Sequence, residues 1–534
     1  MGVLLLFLLQ VTPKPATIRG KAVAADTGAP LKRAMIFLRS APGGRRDAGG
    51  ATTDGTGAYE IKNVAPGTYV AECAKSGFIS VPFKRGKEEN SQIVVAEGQE
   101  LKDINFVLPP GGVISGAVVD EYDIPIPGVV VFVKRKVYRQ GKMQLEIASN
   151  FVTDDRGRYR VPEIPAGHYY VEAAKSGNPN DASPYYARVL FPNASNLAEA
   201  QAVNVGPGEE VSGINFALHE STVFSVSGKV VDLRTGAAAG GTTLYYGREA
   251  DSVYSGGSSG NTQAKADGTF RILGLTAGRY RVSLQVLGKP VTQRTMDVPE
   301  HNVKDRIFTI APGAALKGHV QTQGGDLPER LRVQLLLRST NAVALEPVYT
   351  QPDGAFEFPD VQPETYALNI SPVPGTGGKA PAVFFLKDIT VAGNEAIDTG
   401  IAVPEGTSSL ELTATIDFRA GTISGKALDP SNAPLDGENI AMVSTDSKKR
   451  EFDRYFKRSK STASGDYTIS GVIPGDYCLV VWPGKDPAVV QDPDVMALLE
   501  KHCVRVSVQQ SGSVSQELKL IPDVEKIARS FSWF

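Results

Sequence analysis

The sequence predicts an all-β chain: a tandem array of five antiparallel seven-stranded β-sandwich domains with one short helix in the last. Three observations carry that expectation. Gly 55 and Pro 35 break the sequence into short runs rich in Val, Ile, Thr and Tyr, which is the composition of strands and turns. Two markers recur five times in the same order, at a period of roughly 90 to 110 residues. Where alternation is clearest, Leu331, Val333, Leu335 and Leu337 point one way while Arg332, Gln334 and Arg338 point the other, the period-two pattern of a half-buried strand.

The chain opens on Val3 to Leu9, an apolar run of seven residues. A membrane-crossing helix needs about 20, so this run is expected to be the core of a signal segment over residues 1–16, although no Lys or Arg precedes it. A length of 534 residues is too great for one core. The repeat divides it into sandwiches at 17–109, 110–219, 220–311, 312–419 and 420–524, with a tail at 525–534.

The first marker is a strand with a central glycine: Gly20, Gly116, Gly228, Gly318 and Gly425 each sit in a run such as Val113-Ile114-Ser115-Gly116-Ala117-Val118-Val119. A strand glycine marks a bulge or a close backbone approach. The second marker is a turn and an aromatic, with a tyrosine ten residues on: Tyr59 with Tyr69, Tyr159 with Tyr169, Phe270 with Tyr280, Phe356 with Tyr366, Tyr467 with Tyr477. Turn residues precede each pair, among them Asp54-Gly55, Asp155-Arg156-Gly157 and Asp267-Gly268. Past each tyrosine the alternation marks a core face, as in Tyr477, Leu479 and Val481. In the last unit Asp492-Pro493 followed by helix formers predicts the short helix, with aspartate as cap and proline at the first helical position.

The succession Thr53-Asp54-Gly55-Thr56-Gly57-Ala58-Tyr59-Glu60-Ile61, followed by Val64-Ala65-Pro66-Gly67-Thr68-Tyr69, resembles the carboxypeptidase regulatory-like family. Gly206 to Phe216 looks like the tandem versions found in large bacterial exported proteins. The resemblance implies a seven-stranded sandwich of the carbohydrate-binding-like class, related to transthyretin-like and collagen-adhesin B-type domains. It implies fold, not activity. Adhesin B-type domains can carry a Lys–Asn crosslink; only the first unit offers both residues, Lys21 and Asn105, and Lys21 falls on the water-facing phase.

The catalytic motifs that this composition could hold are incomplete. None of His168, His219, His301, His319 and His502 is followed three residues later by glutamate, so the zinc pair of a metallocarboxypeptidase is missing. Gly256-Gly257-Ser258-Ser259-Gly260 fits a nucleophile elbow in letters, but no helix follows it. Each Asp-Gly turn has too few acids for calcium. With 56 basic and 58 acidic residues spread along the chain, nucleic acid is not an expected partner. The sequence therefore predicts no enzyme, no cofactor and no metal.

What remains is a non-catalytic exported binding protein, secreted, periplasmic or at the cell surface, presenting its sandwiches to polysaccharide or to an envelope protein. A structural or adhesive stalk and an accessory subunit of an envelope enzyme or receptor are the alternatives. Candidate ligand-binding residues are Tyr185, Tyr186, Tyr254 and Trp482; Trp482 lies on the outward phase after Tyr477. The bland reading is local packing, of Trp482 against the expected helix for one. Cys478 and Cys503, also outward and bracketing that helix, form a candidate disulfide. Cys73 falls on the inward phase and is expected to be a buried, inert thiol.

Overall fold

The computed structural model describes residues 14–41, 47–84, 91–139, 142–175, 185–233, 235–248, 259–286, 292–310, 313–338, 345–373, 383–450, 452–483 and 486–531. Within them the two markers fold into a two-sheet sandwich five times over. The third is the simplest: Thr269–Leu275, Phe224–Asp232 and Val303–Ile310 form one sheet, and Ser259–Gln263, Thr243–Arg248, Gly278–Gln285 and Thr292–Val298 the other. One core cluster fills each sandwich. Pairing is antiparallel with one recurrent exception. The last strand runs parallel to the first in all five sandwiches, as Phe106–Leu108 does beside Ala16–Ala24. These two strands are separated by the whole domain, so no hairpin constrains their direction.

The strand glycine exists because of that pairing. A Cβ on Gly20, Gly116, Gly228 or Gly425 would stand 1.9, 2.0, 1.7 or 1.9 Å from the carbonyl oxygen of Ile104, Ile214, Arg306 or Gln516 on the last strand. No other residue permits that approach. In the first, second and fifth sandwiches the last strand is interrupted at this point, for example between Glu100–Leu101 and Phe106–Leu108. The carbonyl left over is taken by the marker aromatic: Tyr59 donates to Ile104 O at 2.6 Å, Tyr159 to Ile214 O at 2.5 Å and Tyr467 to Gln516 O at 2.7 Å. Where that aromatic is Phe270 or Phe356 the last strand is assigned without a break, as Val303–Ile310 and Ser409–Asp417. In the fourth sandwich the Phe356 ring itself occupies the space over Gly318, 2.0 Å from the Cβ that is missing there.

The second tyrosine of each marker closes the turn before its own strand. Its hydroxyl donates to the carbonyl four residues back, Tyr69 to Ala65, Tyr169 to Pro165, Tyr280 to Thr276, Tyr366 to Gln362 and Tyr477 to Ile473, at 2.6 to 3.1 Å. The ring is core on one side and the hydroxyl satisfies a turn carbonyl, the arrangement of a tyrosine corner. Burial raises the phenol pKa of Tyr169, Tyr280, Tyr366 and Tyr477.

Two helices lie in the C-terminal part, α1 (Pro493–Leu499) and α2 (Pro522–Phe531). Asp492 caps α1, its side chain accepting from the Asp494 N–H at 2.7 Å. The second runs into the segment set apart as a tail at 525–534. Val524, Ile527, Ala528 and Phe531 recur at i, i+3, i+4 and i+7 behind Pro522, the stripe of an amphipathic helix, and Val524 and Ala528 are fully buried.

Three substitutions separate these roles in the intact chain. Tyr169→Phe removes one hydrogen bond and should lower the opening free energy of the Gly167–Ala174 amides by about 1 kcal/mol; Tyr169→Ala should lower it by about 3 kcal/mol or more. Gly116→Ala drives a methyl into a backbone carbonyl and should cost about 3 kcal/mol in the same sandwich. Hydrogen exchange read by mass spectrometry measures all three; unchanged protection in Gly116→Ala contradicts the close approach.

Candidate functional site

The structure distributes the candidate residues over joints between sandwiches. Trp482 occupies the outward phase of Gly475–Trp482 and is fully buried. The outer face of that sheet is covered, and Trp482 belongs to a second core with Val480, Val489, Val495, Met496 and Leu499. Its indole N–H has no hydrogen-bond partner among the described residues, in keeping with an apolar enclosure. Tyr186 is also withdrawn from solvent, in the core of the second sandwich, and its backbone bridges to Glu220 at the start of the third. Burial, then Asp120, raises the pKa of its phenol. Tyr185 is half-buried, and its carbonyl accepts from the Ser221 N–H at 2.7 Å. Tyr254 lies outside the described residues.

Cys478 and Cys503 are joined by a disulfide, with Cα atoms 5.4 Å apart. It ties the covered sheet face to the end of α1. Cys73 is free and buried, and burial pushes its thiol up to about 12, away from thiolate reactivity.

The second core of the fifth sandwich has a contributor from far away in sequence. Strands Val130–Arg139 and Lys142–Val152 of the second sandwich form a long hairpin whose end supplies Tyr138 and Met143 to the cluster of Trp482, Val495, Met496, Val524 and Ala528. The Tyr138 hydroxyl donates to the Asp492 carboxylate, so one acid both caps α1 and receives the phenol. Burial and that carboxylate raise the Tyr138 pKa, keeping it a neutral donor. Helix α2 lies against Gly167–Ala174 of the second sandwich. On the outer face of that sheet Glu172 accepts from Lys134 at 2.8 Å and from Arg188 at 2.9 Å, with Lys134 fully buried. A buried carboxylate with two cations satisfies the rule that buried charge must be paired.

This contact closes a circuit. The second and third sandwiches meet at Tyr185 and Tyr186, the third and fourth at a buried Thr292–Gln362 hydrogen bond of 2.8 Å and an Arg294–Glu405 pair of 3.2 Å. The fourth and fifth meet at Arg454–Asp398, 2.6 Å, with the Arg338 guanidinium over Phe452. The fifth then returns to the second.

Among the described residues no three His, Cys, Asp or Glu side chains gather as metal ligands. The Asp-Gly turn acids serve the backbone: Asp54 accepts from Thr56 N, Thr56 Oγ1 and Ala58 N, and these bonds hold its carboxyl below the usual range. A shallow groove on the second sandwich, lined by Phe151, Asp154, Arg158, Tyr159 and Arg160, has its phenol committed to Ile214 O and its carboxylate to Arg156 and Arg158 N–H groups. Lys21 and Asn105 meet through the backbone: the Lys21 N–H donates to Asn105 Oδ1 at 2.8 Å while the Lys21 side chain is exposed. Asn215 receives Ala117 in the same way at 2.9 Å. Each asparagine satisfies the N–H that the interrupted last strand leaves open.

Sequence reasoning missed Tyr138, Met143 and α2. Two signals were present: Val130 to Arg139 is a longer strand than its counterpart Met35–Ser40, and residues 522–531 carry the helical stripe.

Carboxypeptidase regulatory-like domains match residues 17–109 and 113–219, the first two sandwiches. Among solved structures the chain is similar to a streptococcal ancillary pilin, at 14% identity over 55% of this chain and 99% of that one, with a TM-score of 0.19. It is similar to two B repeat units of the collagen-binding protein of Staphylococcus aureus at 12% identity, 70% and 92% coverage and a TM-score of 0.15. The major pilin subunit of Bacillus cereus, BcpA, gives 11%, 56% and 99%, with 0.16. No curated protein matches.

The disulfide is open to a direct count. Protein unfolded without reductant should titrate one thiol, that of Cys73, and three after reduction. Cys503→Ala should destabilise the α1 region by about 3 kcal/mol, the chain-entropy value for a loop of this size. Three thiols before reduction would contradict the bond.

Proposed function

From two carboxypeptidase regulatory-like domains and the same sandwich plan repeated three times behind them, we propose that this chain is a non-catalytic structural or adhesive element that works outside the cytoplasm. The observation that carries this is the use made of the aromatic candidates. Tyr186 and Trp482 are buried and Tyr185 sits at a joint, so the rings that stood out in the sequence fix one sandwich against another. The function is to hold several loop-bearing sandwiches in a set arrangement, with protein as the partner.

The Cys478–Cys503 bond supports the location, since structural disulfides persist in oxidising compartments. The apolar run Val3 to Leu9 fits export, though it lies outside the described residues. No described helix is long and apolar enough to cross a membrane.

Polysaccharide binding is the second reading, favoured by the exposed rings of Tyr122, Phe151, Tyr245 and Tyr349. They belong to three different sandwiches, and Tyr349 is already stacked by the Arg330 guanidinium at 4.1 Å. A sugar platform needs adjacent free faces, which these do not supply.

Tyr185→Ala decides between the readings. A structural role predicts a lower melting temperature, by a few degrees for the loss of about 1 kcal/mol, with retention on envelope polysaccharide unchanged from wild type. Selective loss of retention at an unchanged melting temperature would return Tyr185 to a ligand face and overturn the proposal.

A further inference from the structure

The joint between the second and fifth sandwiches differs in kind from the other three in the circuit. Those join neighbours in the chain, so covalent connection alone keeps their partners together. Tyr138 and Asp492 are 354 residues apart, and nothing in the connectivity requires both to come from one molecule. Yet the surfaces are fitted to each other. The hairpin end enters an apolar cluster closed by Val524 and Ala528, and a phenol is matched to a carboxylate.

Closure within one chain also requires the intervening joints to keep their angles. Two of them use ion pairs whose carboxylates are exposed, Glu405 at 65% and Asp398 at 42%. Pairs open to solvent on one side add little, about 1 kcal/mol each, beside the buried Thr292–Gln362 hydrogen bond, and a change of angle at these joints leaves the core cluster of each sandwich intact. When the angles change, the second sandwich loses its helix and the fifth loses its hairpin. The groups released are complementary to those released by any other copy.

We propose that this joint is an exchangeable clasp: the hairpin face of the second sandwich takes the fifth sandwich and α2 of a second copy, giving a reciprocal dimer in place of the closed monomer. The contacts are the same in both forms, as in domain swapping, and the interface closes on itself because each chain supplies one of each surface. Tethering favours the closed form at low concentration, so the wild-type chain is a monomer when dilute. The inference stands apart from what the chain binds.

Two full-length variants test it by complementation. Tyr138→Ala with Met143→Asp spoils the hairpin side; Val524→Asp with Ala528→Asp spoils the helix side. Neither can close or pair with itself, but a mixture retains one intact pair of surfaces. Sedimentation at concentrations up to about 100 µM should show each variant as a more extended monomer than wild type, and the mixture as a one-to-one complex of twice the monomer mass. Monomers in the mixture overturn the proposal, as does either variant remaining as compact as wild type. Circular dichroism checks that the sheets persist. If the helix-side variant unfolds its fifth sandwich, a chain ending at Ile521 takes its place, with the same outcomes deciding.

Discussion

In four of the five sandwiches, a carbonyl of the last strand comes within 2.0 Å of where a side chain would begin on the first strand, and the rest of the architecture answers to that approach. Glycine is needed because any Cβ would collide with backbone, which cannot rotate away. The approach lets the last strand lie parallel to the first at the centre of its sheet, and that pairing turns a set of hairpins into a closed sandwich. Where the last strand breaks, the orphaned groups are met by side chains at fixed places: a tyrosine hydroxyl on the carbonyl, an asparagine on the neighbouring N–H. Where phenylalanine replaces the tyrosine, the strand is assigned unbroken. One backbone contact thus explains the first marker, the first aromatic of the second marker and the position of Asn105 and Asn215.

Much of this was legible because the causes are local. The five glycines, the ten-residue aromatic spacing, the inward phase of Cys73 and the capped helix after Asp492 each depend on residues within one sandwich. Trp482 shows where legibility ends. Its outward phase follows from alternation, but what lies outside does not: the cover comes from α1, from α2 and from a hairpin of the second sandwich. A period-two pattern assigns a face without saying whether water or protein lies on it. Helix α2 was overlooked for a related reason. Ten residues form a marginal helix alone, and the stripe of Val524, Ile527 and Ala528 gains meaning only from the surface that receives it. Tyr138 has no local signal beyond the length of its strand.

The joints give the array its functional character. Tyr185 and Trp482 sit where sandwiches meet, and the buried Lys134–Glu172 pair, joined by Arg188, lies in the sheet that α2 crosses. Breaking such a cluster by removing one partner costs several kcal/mol, so the docking face is held in one shape whether or not it is occupied. The disulfide acts at the other side of the same contact, fixing α1 and with it the Asp492 carboxylate that receives Tyr138. Sandwich by sandwich the chain is ordinary; its distinctive property is the closed arrangement that the contact between the second and fifth sandwiches completes.

That arrangement is the central claim, and small-angle X-ray scattering of the dilute, monomeric chain tests it most directly. With the second and fifth sandwiches in contact, the maximum dimension must fall well short of five sandwiches laid end to end, and the profile must match the closed circuit. An extended rod-like profile, with a maximum dimension growing as the full number of sandwiches, would contradict the account.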